Sequence, residues 1–505
     1  MASPAAQVPP SPSPFPVKRG RGAEIRAWLD EMRVPFACAC VAFAVLAFFA
    51  GDRFWHQSKA PQFVYQAMSF LHGKLELLVR PPNNEDWVLM QGKWYSSFPA
   101  FPALLMVPFV ALNGYQLNDT SFTVILAALN LLFMYLAFRA LSRAGDSARS
   151  DRENLILCGL LGFGTLYFYC SIRGEVWFTA EVMGLGLTAL YVLFAHKARN
   201  PLLAGLFYAA GTLTRAPILF AAVFFLCEVF APNGSLSDLT AKLTAEARKA
   251  QLKKIALFAL GALPLAAWHA WMNWARFGSV GDFGHDHLFN NRVNADIAHF
   301  GLFNLHYLAR NVVAAFLLLP QVVTRPHFSL GYNPHGLSLL LTTPLFALAL
   351  FPALAKGRKD RFGLALGLAV AAVLIPWLFD RGPAPRSPFE APSFGGTAML
   401  IFALFAGRLA WLAYEARGPS AERPRLQLAL VLTIAAIALP GLFYQNDGYM
   451  QFGFRFSLDW TPFVFLLLAV GARKMDRLFW ALASVGVAVN TWGASAFRGY
   501  SDLFR

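Results

Sequence analysis

Charged side chains make up only 14% of this 505-residue chain, so each one beside an apolar run is a candidate for chemistry. Asp52 ends the apolar segment 35–51 and is followed by Arg53, His56, Gln57 and Lys59. A carboxylate at the mouth of a membrane helix can act as general base toward a hydroxyl acceptor, and partial burial raises its basicity. It can also help to bind a metal ion. The plainer reading is a helix-end acid reaching for water, which costs little at a membrane boundary. Arg173 and Glu175 (RGEVW) open a later apolar run, where Glu175 can orient an acceptor or hold Arg173. Glu181 lies deeper, where an ionisable group needs a partner or a wet cavity. Arg215 stands between two short apolar halves, and Arg455 enters another apolar run with Asp459 one turn further. Guanidinium matches phosphate oxygens with paired donors, which makes Arg215 and Arg455 the candidates for a donor phosphate. Arg455 and Asp459 read equally as an i,i+4 salt link.

The stretch from Asp52 to about Pro99 is polar and aromatic, and in it Phe63, Ala67, Phe70 and Leu71 recur at helical spacing. That pattern predicts a helix lying in the interface plane and ending at Gly73; an ordinary loop cover is the alternative. His56, Gln57, Tyr65, Lys93 and Tyr95 from this stretch, with Arg173, His285 and Arg325, form the candidate substrate-binding set. Gly284-His285-Asp286-His287 offers imidazole and carboxylate ligands, but consecutive residues do not readily face one ion. The metal ligands are unknown and a divalent metal is left open; no cofactor is certain. No phosphate loop of the G-x-x-x-x-G-K-[ST] type is present.

The elements that must position these residues are membrane helices. Hydrophobic residues make up 57% of the chain and mean hydropathy is +0.47, with many runs near the roughly 20 residues that cross hydrocarbon. The reading is an all-α polytopic membrane protein of about thirteen spans with interfacial helices in the first outer loop. Residues 1–30 are expected as a disordered basic tail, with no cleaved signal peptide, and 31–505 as one transmembrane domain with outer loops 52–118 and 274–336. Basic loops place the N-terminus inside. Phe98–Leu112 is expected on the outer surface rather than across the bilayer, and 307–319 is too short for a crossing. The formal charge of +15 is spread between apolar segments, as the positive-inside rule requires, and so excludes a nucleic-acid partner. The five cysteines lie in apolar segments without metal or disulfide spacing.

Several segments resemble the GT-C superfamily of integral membrane glycosyltransferases, in particular bacterial relatives of protein O-mannosyltransferases and lipid A aminoarabinose transferases. They are the first-span exit with Asp52, SKAPQFVYQAMSFLHGKLEL, the segment Gly92–Gly114, GTLTRAP around Arg215, NWARFGSVGDFG, GLFNLHYLARN, NPHGLSLLLTTP, and YMQFGFRFSLDWTPF from Tyr449. The resemblance implies a GT-C-like fold and a sugar donor carried on polyprenyl phosphate, with a lipid, glycan or protein acceptor. It implies transfer on the periplasmic face of the bacterial inner membrane. It puts Asp52 in the place of the family's first-loop acid and Arg215 in that of a basic hairpin residue. The chain departs from the family where Arg53, not a second acid, follows Asp52. A lipid or polysaccharide transporter or flippase, and an O-antigen-type ligase or polymerase, are the rival readings. The first would use Arg215 and Glu181 for coupling, and the one-sided concentration of polar residues in the outer loops speaks against it.

Overall fold

The chain enters on a single long helix, α1 (Arg21–Ala50). The computed structural model describes residues 21–289, 297–323, 329–331, 333–351, 395–418, 423–448, 450–471 and 473–497. Residues 21–30, expected as tail, are therefore helical. Glu31 pins this part of the helix, taking bonds from Arg139 and Arg143 at 2.7 and 2.8 Å. After α1 come α2 (Gln62–Leu71), a hairpin of β1 (Trp87–Met90) and β2 (Lys93–Ser96), and α3 (Phe101–Asn113). Then follow α4 (Asp119–Arg143), α5 (Asp151–Phe163), α6 (Tyr167–Ser171), α7 (Val176–Ala195), α8 (Pro201–Thr212), α9 (Ala222–Phe230) and α10 (Ala245–Phe277). The later described elements are α11 (Leu308–Phe316), the hairpin β3–β4 (Gln321–Val323, Ser329–Gly331), α12 (Leu339–Thr342), α13 (Leu345–Leu350), α14 (Gly395–Glu415), α15 (Gln427–Gly441), α16 (Thr461–Val470) and α17 (Arg477–Ala496).

Among the described residues six helices are long and apolar enough to cross a membrane, those around α1, α4, α7, α10, α14 and α17, and α8, α9, α15 and α16 are shorter apolar helices. The expected span 362–379 lies outside the described residues. The expected span 337–355 is broken between α12 and α13 at Thr343-Pro344, because proline lacks the amide hydrogen that would continue the helix. The helix expected over 62–71 is α2, closed by Gly73 at φ +66°. The chain is mostly helical, as expected, and two short hairpins interrupt the helices. In the first, Gln91 and Gly92 both take positive φ, 50° and 75°, the backbone of a type I′ turn whose twist suits paired strands.

Helix α7 is apolar around its whole circumference and its spanning window is 83% buried, against 11% for α10. A helix without a polar face belongs in the middle of a bundle, and α7 packs between α4 and α8. Asn130 of α4 seals one side: its amide nitrogen donates to Val182 O at 2.7 Å and to Tyr167 Oη at 3.1 Å. The α8–α10 crossing is set by backbone contact. A Cβ on Gly205 would lie 1.9 Å from Phe258 O, and one on Gly261 1.9 Å from Leu202 O. Small residues at such crossings let helices approach closely where no water is available to drive association.

At the end of α7 remote from Glu175, Arg425 clamps two acids. It donates to Asp146 at 2.8 and 3.0 Å and to Glu228 at 3.1 and 3.2 Å, while His196 Nε2 bonds Asp146 Oδ2 at 2.7 Å. Burial favours the neutral form of the Asp146 carboxyl, but His196 and Arg425 outweigh it and hold the pKa well below the usual aspartate value.

Two outcomes follow from this architecture. Gly205→Val or Gly261→Val should destabilise the protein by about 1–3 kcal/mol through overpacking, read as a fall in thermal midpoint in detergent. Because the folded-state pKa of Asp146 lies below its unfolded value, its stabilisation is complete above the unfolded value and disappears as pH falls toward the folded one. Asp146→Asn should therefore lower stability at neutral pH and flatten the loss of stability below about pH 4, measured by denaturation across an acid series.

Candidate active site

Three arginines gather around two phenylalanines. Arg215 stands at the turn between α8 and the 3-10 segment Ala216–Ala221. Its Nε and Nη2 donate to both carboxylate oxygens of Asp459, at 2.9 and 2.7 Å, and Nη2 also meets Glu181 Oε1 at 3.0 Å. Two acids, with side chains 1% and 3% exposed, thus share one guanidinium. The guanidinium lies over the Phe456 ring at 5.3 Å, and Arg455 covers the same ring at 5.2 Å and Phe178 at 5.6 Å. Arg173 covers Phe178 from 5.6 Å and Tyr169 from 4.8 Å. Arg173, Arg455 and Arg215 are therefore linked through Phe178 and Phe456, each cation resting on an aromatic face.

The outer end of this column is tied to Glu175, which takes a bond from Arg173 Nη1 at 3.2 Å, and to Phe497 O, bonded by Arg173 Nη2 at 2.9 Å. On another side, Gln451 anchors the turn before Arg455. Its Nε2 donates to His335 O and Asp447 O at 2.9 and 2.7 Å, and its Oε1 accepts from Arg455 N at 3.2 Å. His335 Nδ1 and Asp447 Oδ2 are 2.6 Å apart, and both side chains are buried.

The loop that follows α1 is stitched to the starts of α4 and α7. Ser58 donates through both N and Oγ to Asp119, at 2.7 Å each; Gln57 Nε2 donates to Tyr115 O and Leu117 O; and Val176 N donates to Ala60 O at 3.1 Å. Asp52 is thereby held at the same end of the bundle as Arg173 and Glu175. Its carboxylate is exposed and its carbonyl oxygen receives the His56 Nδ1 bond. Glu85 and Asp86 stand at this end too. Asp86 accepts from Trp177 Nε1 at 2.8 Å. Desolvation by its surroundings, then the charges of Asp86 and Glu175, raise the Glu85 pKa above the usual glutamate value.

The expected site residues divide accordingly. Arg173, Glu175, Arg215 and Arg455 come together. Arg215 is corrected from an open phosphate ligand to the centre of a triad, because Asp459 takes its Nε and Nη2 donors and Glu181 also lies against Nη2. The expected i,i+4 link between Arg455 and Asp459 is replaced by the longer-range pairing of Asp459 with Arg215. Asp52 is corrected from a partly buried base to an exposed one. His56 is exposed, and Gln57 serves the loop backbone. Tyr65 stacks near Tyr115 and Trp87, Lys93 pairs with Glu76 at 3.6 Å, and Tyr95 packs on Phe277. His285 is half-buried in the turn His285–His287, where His287 bonds Asp282 at 2.9 Å. Arg325 lies outside the described residues. Among the described residues no three His, Cys, Asp or Glu side chains group in a way that could hold a metal ion, so no step is routed through one.

Sequence reading passed over Asp119, Glu85, Asp86, and the His335–Asp447 pair. Asp119 carried a signal: Asn118 before it is an N-cap, accepting from Ser121 N, so the acid stands at the start of a span. The others are brought to this end by tertiary contacts that no local spacing announces.

No family model and no curated protein matches this chain. Three solved structures of the Archaeoglobus fulgidus oligosaccharyltransferase resemble its fold. The form tethered with an acceptor peptide containing the NVT sequon aligns with TM-score 0.48 and 13% identity over 94% of this chain and 56% of that one. The apo form gives 0.45 and 12% over 92% and 55%, and the complex with an inhibitory peptide and a dolichol-phosphate gives 0.41 and 12% over 93% and 56%. This chain spans a little over half the length of those proteins.

Asp459→Ala should cost about 1–3 kcal/mol, since it leaves two mostly buried Arg215 donors without the acceptors that Asp459 supplies. Asp52→Asn, at an exposed position, should stay within about 0.5 kcal/mol of the parent. Unfolding midpoints of the two purified variants check both values.

Proposed function

We propose that this chain is a GT-C-type glycosyltransferase that moves a sugar from a polyprenyl-phosphate donor to a hydroxyl on a glycolipid, envelope glycan or protein. It works as a polytopic protein of about thirteen spans in the bacterial inner membrane, with its site toward the periplasm. The observation that carries this reading is the column Arg173–Phe178–Arg455–Phe456–Arg215 at one end of the bundle. Ionisable groups are expensive among apolar helices and mark functional pathways by default. A lipid-borne phosphate is the anion that can approach such cations from within the bilayer, which a soluble nucleotide sugar cannot do.

In the proposed reaction the acceptor oxygen attacks the anomeric carbon as the bond from that carbon to the phosphate oxygen breaks. The electron pair leaves with the lipid phosphate, and configuration inverts in one displacement. Arg455 and Arg173 stabilise the charge that builds on the departing phosphate, an effect strongest in a water-poor site. Arg215, held by Asp459 and Glu181, keeps the Phe456 face in place beneath them. Asp52, exposed at the rim, takes the acceptor proton. Glu175 fixes Arg173 and faces the acceptor side with Glu85 and Asp86.

Purified protein incubated with a panel of polyprenyl-phosphate sugars and crude envelope acceptor should release polyprenyl phosphate, detected by mass spectrometry. Arg455→Ala should lower turnover about 100-fold or more, and Asp52→Asn about 100-fold or more, at matched folded yield. Absence of release with every donor would sink the transferase reading. Undiminished turnover in Asp52→Asn would remove Asp52 as the base.

A further inference from the structure

Three buried arginines of this bundle each meet a carboxylate: Arg139 bonds Glu31 at 2.7 Å, Arg149 bonds Glu153 at 3.0 Å and Arg173 bonds Glu175 at 3.2 Å. Arg276, in the last turn of α10, is 8% exposed and differs. Its Nη1 donates to Ser96 O at 3.2 Å and its Nη2 to Asn273 Oδ1 at 2.9 Å, both neutral acceptors. Its Nε has no hydrogen-bond partner among the described residues. The guanidinium rests on the Phe277 ring at 4.7 Å. Asp282, on the turn after α10, is already taken by His287 Nε2 at 2.9 Å and by Gly284 N at 2.7 Å. A buried cation without a counter-charge is costly.

His269 and Asn273 share this face of α10 with Arg276, at i, i+4 and i+7. Asn273 is fully buried and its amide is saturated: Nδ2 donates to Val280 O at 3.2 Å and lies 3.4 Å from His269 Nε2. An amide nitrogen only donates, so Nε2 accepts and the imidazole hydrogen sits on Nδ1. That atom too is buried without a partner among the described residues. Two orphan donors, one of them on an uncompensated cation, thus flank a single asparagine, and both call for an anionic acceptor. The bilayer can supply it. The spanning window of α10 is only 11% buried, and Trp271 and Trp274 beside this face are 52% and 59% exposed. Tryptophans near a helix end mark the depth of the headgroups. Half-buried His269 stands at the rim. The anion at that depth is a lipid phosphate, whose oxygens a guanidinium fits.

We propose that Arg276 and His269 bind the phosphate of an anionic bilayer lipid lodged between α10 and the β1–β2 hairpin. The inference stands apart from sugar transfer. The lipid braces the hairpin, because Arg276 holds Ser96 O and Ser97 Oγ donates to Asp86 O at 2.7 Å. The test titrates full-length protein in neutral detergent with phosphatidylglycerol, phosphatidylcholine and inorganic phosphate, reading affinity by native mass spectrometry and the thermal midpoint alongside. Phosphatidylglycerol should bind tightest and raise the midpoint. Arg276→Gln should lose about tenfold or more in affinity for it and should lose the rise in midpoint, while Arg276→Lys keeps both. Parental affinity in Arg276→Gln, equal affinity for phosphatidylcholine, or equal competition by inorganic phosphate would overturn the proposal. Should Arg276→Gln fail to fold, the parent protein is photo-crosslinked with a phosphatidylglycerol carrying a diazirine next to its glycerol. Crosslinks on residues 268–277 are expected, and crosslinks confined to other helices would overturn the site.

Discussion

One guanidinium shared by two buried carboxylates organises this molecule. Arg215 joins the hairpin between α8 and α9 to Glu181 in the second turn of α7 and to Asp459 just before α16. No one of these groups could remain ionised alone in an apolar bundle, because the desolvation cost of a lone charge exceeds what packing returns. Each therefore requires the others. That requirement fixes the hairpin, α7 and the 3-10 segment Arg455–Asp459 relative to one another. Phe456 follows from it: held between Arg215 and Arg455, it presents an aromatic face to both guanidinium groups.

The triad also explains why the exposed and buried acids play different parts. Asp459 has both carboxyl oxygens bonded to Arg215, and Glu181 meets the same guanidinium through Oε1. Asp52, Glu85 and Asp86 sit outside the triad, in the segment after α1, where Ser58 donates to both carboxyl oxygens of Asp119 and Gln57 to the backbone of Tyr115 and Leu117. A site arranged this way keeps its rigid cations below and its adaptable carboxylates above. Such an order suits an anionic group that arrives from the membrane and an acceptor that arrives from water.

Much of the frame could be read without coordinates. The helix α2 with its stop at Gly73, the long apolar helices and the expectation that Glu181 needs a partner all rest on period, length and charge cost. The hairpin at Gln91-Gly92 escaped because its strands are four residues each and show no alternation over a longer run. The N-terminal boundary escaped because Glu31 finds its partners on α4, more than a hundred residues away. The Arg455–Asp459 pairing was misread for a related reason. Spacing of four favours a helical salt link only where the backbone is α-helical, and here it is a 3-10 turn that sends the two side chains to different neighbours.

By itself the sequence determined which segments must leave water and which side chains are too costly to bury alone, since hydropathy and desolvation are properties of residues and their runs. Only the tertiary structure decided which charge answers which. Arg215 and Asp459 lie 244 positions apart, and the choice between Arg455 and Arg215 as the partner of Asp459 depends on helix placement to within an ångström or two. The depth of Asp52 was likewise settled by the path of the loop that follows it.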